Sequence, residues 1–221
     1  MESHAVALQK IRTTIPQGVK LIAVSKTKPI EEIMEVYEAG HLVFGENKAQ
    51  ELRQKYELMP KDVEWHFIGH LQTNKVKYIT PFVSLIHSID SLKLLIEVDK
   101  SAKKNDRVVD CLLQFHIAEE DTKFGLDLEE AKDLLSSEIF RDLKNVRICG
   151  VMGMATFTDD EVQVRREFAH LKNIFDVLQG EYFSDSSHFK EISMGMTDDY
   201  RIAMEEGSTM VRIGSAIFGH R

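Results

Sequence analysis

The sequence predicts an α/β fold: a (β/α)8 TIM barrel with an additional N-terminal helix, formed by one domain over residues 1–221. Two features lead there. Short apolar runs rich in Val and Ile alternate with charged, amphipathic stretches of helix length, and eight such runs fit within 221 residues. Largely apolar strands, nearly every one followed by a crossover, make a parallel sheet covered on its outer face. The length falls within the range of eight-unit barrels. An open doubly wound sheet is the alternative, since it uses the same alternation.

The opening MESHAVALQKIRTTI is charged and reads as an amphipathic helix rather than a secretory leader. The strands follow as KLIAVS (20–25), HLVFG (41–45), VEWHFIG (63–69), VSLIHSI (83–89), VVDCLLQFH (108–116), VRICGVMGM (146–154), FKEISM (189–194) and TMVRIG (209–214). Between them IEEIMEVYEAG, KAQELRQKYELM, LQTNKVKYI, SLKLLIEVDKSAKK, LEEAKDLLSSEI, DEVQVRREFAHLKNIFDVL and DDYRIAMEEG carry apolar residues at three- and four-residue spacing or several strong helix formers. No linker or low-complexity segment divides the chain.

The balance of 28 Lys+Arg against 36 Asp+Glu gives a net charge of −8, so no nucleic-acid partner is expected. The apolar runs are too short to span a bilayer, so no membrane association is expected either. Cys111 and Cys149 are isolated within apolar runs and read as buried, reduced thiols of a cytoplasmic protein. No metal site is expected: His66 and His70 lie across a strand-to-loop boundary, and no His-Glu-x-x-His occurs. Asp198-Asp199 reads as a helix-capping pair.

Ligands of such folds collect at the carboxyl ends of the strands. There the chain places Ser25-Lys26, Gly45-Glu46-Asn47, Gly69-His70, His87-Ser88, Gly153-Met154, Ser193-Met194-Gly195 and Arg212-Ile213-Gly214. ISMGMTDD and MVRIGSAIFG follow the seventh and eighth strands, where barrels commonly hold a phosphate on glycine-loop amides. Gly195 and Gly214 permit close approach, and Ser193 and Ser215 add hydroxyl donors; turn glycines and helix caps are the structural alternative. Lys26 at a strand tip is either a solvated or salt-bridged lysine, or an amine partly desolvated at an apolar rim and able to form a Schiff base with an aldehyde. Arg212, inside an apolar run, needs a partner. A structural ion pair would serve, and so would a pyridine nitrogen kept unprotonated by the guanidinium.

AVSKTKP, FGENKAQE, WHFIGHLQTNK, HSID, TKFGL, VMGMATF and ISMGMTDDYRIAMEEGSTMVRIGSAIFG occur in this order across the chain. Together they resemble the YggS/PROSC family of pyridoxal phosphate (PLP) homeostasis proteins, related in fold to the N-terminal barrel of alanine racemase. The resemblance implies PLP as cofactor, held as an aldimine on Lys26, with Asn47 near its ring and Arg212 at the pyridine nitrogen. Ser193, Gly195, Gly214 and Ser215 then form the phosphate cradle, and Met154 and Met194 pack around the cofactor. Two positions depart from the usual pattern. His70 stands where the motif has proline, and Gln114-Phe115-His116 replaces Gln-Val/Ile-Asn.

Racemases of this fold use a second, β-rich domain that supplies a tyrosine opposite the lysine; the chain ends at GHR, and of its five tyrosines only Tyr200 lies near the SMGM loop. With one proton-transfer group and none opposite, two-base racemisation lacks half its machinery. The expectation is therefore a monomeric PLP holder contributing to intracellular PLP homeostasis without significant turnover, open to small amino acids and in transient contact with PLP-dependent enzymes. Weak PLP-dependent racemase or lyase activity is the alternative, with transamination least favoured, and a colourless Schiff-base aldolase is a third reading.

Overall fold

Parallel strands β1 (Lys20–Val24), β2 (Val43–Glu46), β3 (Glu64–Phe67), β4 (Leu85–Ile89), β5 (Val109–Gln114), β6 (Val146–Met152), β7 (Glu191–Ser193) and β8 (Met210–Ile213) pair in sequence order. Register Lys20↔Met210 through Ala23↔Ile213 joins β8 to β1 and closes the barrel. The computed structural model describes residues 3–119 and 124–219. The outer layer consists of α1 (His4–Arg12), α2 (Ile30–Glu38), α3 (Ala49–Leu58), α4 (Leu92–Lys104), α5 (Leu128–Ser136), α6 (Glu138–Asp142), α7 (Glu161–Tyr182), α8 (Tyr200–Glu205) and α9 (Ser215–Phe218). The barrel and its additional N-terminal helix thus stand as expected, and the open-sheet alternative falls.

Strand alternation sorts the core into two shells. Ala23, Ile86, Cys111, Leu113, Val211 and Ile213 join the large cluster between sheet and helices, whereas their neighbours Ile22, Leu85, Leu112, Cys149, Met152 and Met210 form a separate, smaller one. The smaller cluster is the apolar filling of the barrel interior. Burial holds both cysteines as thiols, driving Cys111 well above its ordinary range and Cys149 up to about 11. Among the described residues no helix is long and apolar enough to cross a membrane, and no group of three His, Cys, Asp or Glu is placed to hold a metal.

Local chemistry sets several boundaries. Ser91 accepts from the Leu94 amide at 3.3 Å to start α4, and Asp127 and Glu130 form a reciprocal capping box at α5. Two helix expectations are corrected. The crossover after β3 is a 3₁₀ helix (Thr73–Tyr78), because its buried residues Val76 and Ile79 are three apart and eclipse at that pitch. LEEAKDLLSSEI breaks at Ser137, whose extended backbone (φ −66°, ψ 145°) ends α5 while its hydroxyl caps α6. Asp199 does not cap α8 through its side chain: its carboxylate turns back to accept from the Met196 amide at 2.5 Å.

Gly150 carries the tightest backbone approach in the sheet. Its φ is +152°, and an added Cβ would lie 1.8 Å from the Glu191 carbonyl oxygen on β7. Gly150→Ala is expected to cost about 3 kcal/mol or more through forced separation of β6 and β7 plus backbone strain. Urea unfolding should read this loss; a change below about 0.5 kcal/mol would show that the ladder yields freely.

Candidate functional site

A cavity of about 510 Å³ opens at the carboxyl ends of the strands. Lys26 and Lys28 enter it from the loop after β1, Asn47 from the end of β2, Met154 from beyond β6, Thr197 and Asp198 from the β7–α8 loop, and Arg212, Gly214 and Ser215 from β8 and α9. Six of the eight sequence-derived candidates therefore share one cavity: Lys26, Asn47, Met154, Arg212, Gly214 and Ser215.

Ser193 and Gly195 lie elsewhere. Ser193 is the last residue of β7, is fully buried, and its Oγ is engaged by His87 Nδ1 at 2.9 Å and by Arg212 Nη1 at 2.5 Å. Gly195 has φ +96°, and a Cβ there would meet Ala203 Cβ at 2.6 Å, so the glycine serves the packing of α8. Met194 is core. From the loop after β7 the hydroxyl that lines the cavity is Thr197, whose Oγ1 accepts from the Gly214 amide at 3.4 Å and so ties the two glycine loops together. Its sequence signal is the second hydroxyl of SMGMT, four residues beyond Ser193.

Arg212 is almost wholly buried, and no carboxylate pairs with it among the described residues. Its guanidinium instead donates to Ser193 Oγ and to the Gly153 carbonyl at 3.0 Å. Burial lowers its pKa to about 10, opposed by the Asp199 charge, so it remains a cation at neutral pH. Asn47 Oδ1 is buried without a hydrogen-bond partner in the same cavity, an acceptor awaiting a donor.

Lys26 is exposed, in line with the solvated reading and not with the partly desolvated one, and it forms no ion pair among the described residues. Its backbone is held firmly by a cluster in which Lys55 and Glu51, which the sequence did not single out, join Ser25 and Glu46. Lys55 Nζ donates to Ser25 O at 2.7 Å, to Glu46 Oε1 at 2.7 Å and to Glu51 Oε1 at 2.8 Å. Ser25 Oγ also donates to Glu46 Oε1 (2.6 Å), and the Thr27 amide donates to Glu51 Oε1 (2.6 Å). Thr27 sits at φ 64°, a left-handed conformation that costs a β-branched residue roughly 1–3 kcal/mol. The buried cluster holds that strained turn in place and fixes the root of Lys26.

The remaining expected features lie off the cavity. His70 is half-exposed, 3.4 Å from Asp90 and tilted against the Phe124 ring at 4.6 Å between centroids, and His116 donates its amide to Leu126 O. Tyr200 bonds Thr14 through its hydroxyl at 3.0 Å and does not face the cavity. Thr122 and Lys123 of TKFGL lie outside the described residues.

Burial raises the Glu46 carboxyl above its ordinary range, against the opposing pull of Lys55 and Ser25. Lys55→Met leaves this carboxylate buried and unpaired and should cost about 3–5 kcal/mol at pH 8. Without Lys55 the Glu46 pKa rises further, so the folded state binds a proton more readily than the unfolded chain, and stability falls as pH increases through that range. The deficit in urea should therefore shrink between pH 8 and pH 5; a deficit independent of pH would remove Glu46 as its source.

Comparison with known proteins adds the lineage. Residues 5–221 match the family model described as alanine racemase, N-terminal domain. A pyridoxal phosphate homeostasis protein of Aquifex aeolicus is 45% identical over 203 residues, covering 91% of this chain and 87% of that one. One of Synechocystis is 36% identical over 215 residues, covering 96% of each chain. The structure of PipY from Synechococcus elongatus with PLP bound superposes with a TM-score of 0.88 at 32% identity, covering 98% of this chain and all of PipY (100%). The alanine racemase of Bartonella henselae, at 13% identity and a TM-score of 0.75 over 58% of its own length, shares the fold. With a family model spanning the barrel and relatives alike along nearly their whole length, the chain belongs to the family of pyridoxal phosphate homeostasis proteins.

Proposed function

We propose that this chain binds PLP reversibly at the barrel mouth, in covalent linkage to Lys26, and contributes to PLP homeostasis by holding the cofactor rather than turning over a substrate. The observation carrying this reading is the convergence on one cavity of an unpaired lysine, a buried arginine and two tied glycine loops. The description of PipY with PLP bound supports it from a relative. The residues present fit the group: the unsatisfied Asn47 Oδ1 awaits a polar partner, and Gly214 leaves room that a Cβ, 3.2 Å from Val24 O, would reduce.

Bound PLP supplies a reactive aldehyde and an electron-withdrawing ring. Lys26 Nζ would hold the group through that aldehyde, with loss of one water. The Gly214 amide, Ser215 and Thr197 would hold the phosphate, Thr197 in place of the expected Ser193. Arg212 would offer a donor-only cation to the pyridine nitrogen and disfavour its protonation. Met154 and Asn47, which line the same cavity, would be available to the ring.

Turnover needs a second proton-transfer group across the cavity. None of the tyrosines lines it, and Asp198, its one carboxylate among the described residues, is exposed to solvent. A small amino acid has access to Lys26 through the open mouth, and the racemase or lyase alternative would then depend on the lysines of the lining alone for proton transfer. The protein acts as a monomer, meeting PLP-dependent enzymes transiently.

The purified protein should absorb in the visible, and Lys26→Ala should abolish that band. Borohydride reduction and peptide mapping should tag Lys26; a tag on Lys28, which also lines the cavity, or on Lys75 would overturn the assignment. Thr197→Val or Ser215→Ala should cost roughly 1–3 kcal/mol of PLP binding and leave pyridoxal little affected, because each removes a donor to a charged acceptor. Gly214→Val should discriminate in the same direction. Equal losses for PLP and pyridoxal would place the phosphate elsewhere. Deuterium exchange at Cα across a panel of amino acids should be slow; exchange at about 1 s⁻¹ or faster would make the protein an enzyme.

A further inference from the structure

A continuous polar chain crosses the apolar interior of the barrel. Arg212, which faces the mouth cavity, donates from Nη1 to Ser193 Oγ; Ser193 Oγ meets His87 Nδ1 at 2.9 Å; His87 Nε2 meets His66 Nδ1 at 3.0 Å. His66 in turn lines a second cavity of about 350 Å³ at the opposite, amino end of the strands. The proposed cofactor site uses only Arg212 of these four. All four side chains are at least nine-tenths buried, and burial lowers both imidazoles, His66 to about 3, so both are neutral.

Hydrogen-bond accounting then fixes the direction of the whole chain. Guanidinium has donors only, so Ser193 Oγ accepts from Arg212. The Ser193 hydroxyl proton has one acceptor among the described residues, His87 Nδ1. Reversing the chain would leave that proton buried without a partner. His87 therefore carries its proton on Nε2 and gives it to His66 Nδ1, and His66 carries its own proton on Nε2. That N–H has no partner among the described residues and is directed to the lower cavity. A donor-only cation at one end of the barrel thus dictates a donor at the other.

The rim decides what such a donor takes. Lys20 lies 3.5 Å from Glu64, Arg147 makes two bonds to Asp110 (2.7 and 2.9 Å), and Glu191 accepts from Thr209. Lys190, exposed at the rim, forms no ion pair among the described residues. Ser84, Ser187 and His188 also line the cavity and can donate or accept, but the donor-only groups left over are the His66 Nε2–H and Lys190, while three nearby carboxylates oppose a multiply charged anion.

We infer that the lower cavity is a second binding site, for a small monocarboxylate held by His66 Nε2–H and Lys190, and that its occupancy is felt at Arg212 through His87 and Ser193. An acceptor at His66 polarises each successive hydrogen bond in the same sense. The site stands apart from the cofactor reading; only the use of the coupling, to tune Arg212 toward the pyridine ring, rests on it.

The test uses the cofactor-free full chain labelled with ¹⁵N at histidine and arginine, so its outcome does not depend on whether PLP binds. Long-range ¹H–¹⁵N spectra should show His66 and His87 both neutral and protonated on Nε2. Acetate should shift the His66 Nε2 proton downfield and move the Arg212 side-chain resonances saturably, with inorganic phosphate less effective. Lys190→Ala, at an exposed position, should weaken acetate about two- to fivefold and leave the tautomers unchanged. Ser193→Ala should keep the response at His66 and remove it at Arg212. An Nδ1–H tautomer or an imidazolium at His66 overturns the polarity argument. No saturable acetate response, or a stronger one to phosphate, overturns the site; a binding response at His66 that never reaches Arg212 overturns the coupling.

Discussion

The buried ammonium of Lys55 is the constraint on which the mouth of the barrel depends. It gathers Ser25 O, Glu46 and Glu51 from three separate elements into one cluster. The geometry is the compensated kind of buried ion pair: each charge meets opposite charge and several hydrogen bonds in a place with little water. Burial alone would push the Glu51 carboxyl up, but hydrogen bonds from Lys55 and the Thr27 amide outweigh it, and the group lies below its ordinary range. The two carboxylates thus move in opposite directions while sharing one cation, with the more buried Glu46 raised. The cluster needs charge in a dry place, and its product is backbone order at the root of Lys26.

Arg212 solves a different problem in the same interior. A structural arginine in an apolar barrel ordinarily requires a carboxylate, and here a serine hydroxyl and a backbone carbonyl take its place. Neutral partners satisfy the N–H groups without cancelling the charge. The positive field is therefore available to whatever occupies the mouth, instead of being spent on an internal pair. Burial keeps the two histidines behind it neutral, with the Arg212 charge adding to the effect at His87, so the interior polar chain stays uncharged except at its upper end.

The barrel was legible because its signals are local. Each run such as KLIAVS or TMVRIG is apolar, β-branched and bounded by helix-forming sequence, and all eight appear as strands, seven trimmed by one to three residues and β2 starting two residues later and running one residue further than expected. Much of the mouth was legible for the same reason, since strand tips are where the pattern stops. The errors arose where a side chain's direction matters more than its position. Ser193 and Thr197 are both hydroxyls of SMGMT, but Ser193 still belongs to β7, whose pleat turns it into the interior, whereas Thr197 is in the loop. Glu51 and Lys55 lie one turn apart within KAQELRQKYELM, and nothing local marks them; only the closing of the barrel brings Glu46 and Ser25 against them. The His66–His87 contact joins residues 21 apart in sequence, through a strand pairing that no short-range pattern encodes.

The strained turn at Thr27 separates two kinds of motion. With its main chain pinned on both sides, Lys26 has an immobile root, while its exposed side chain keeps the rotational freedom of four carbon–carbon torsions. Rearranging a loop takes nanoseconds to microseconds, but an exposed side chain changes rotamer in picoseconds to nanoseconds. The amine can therefore sweep the mouth without any opening of the barrel. The proposed capture and release of a carbonyl partner at such a tether would be paced by bond making and breaking, not by the protein's own conformational clock.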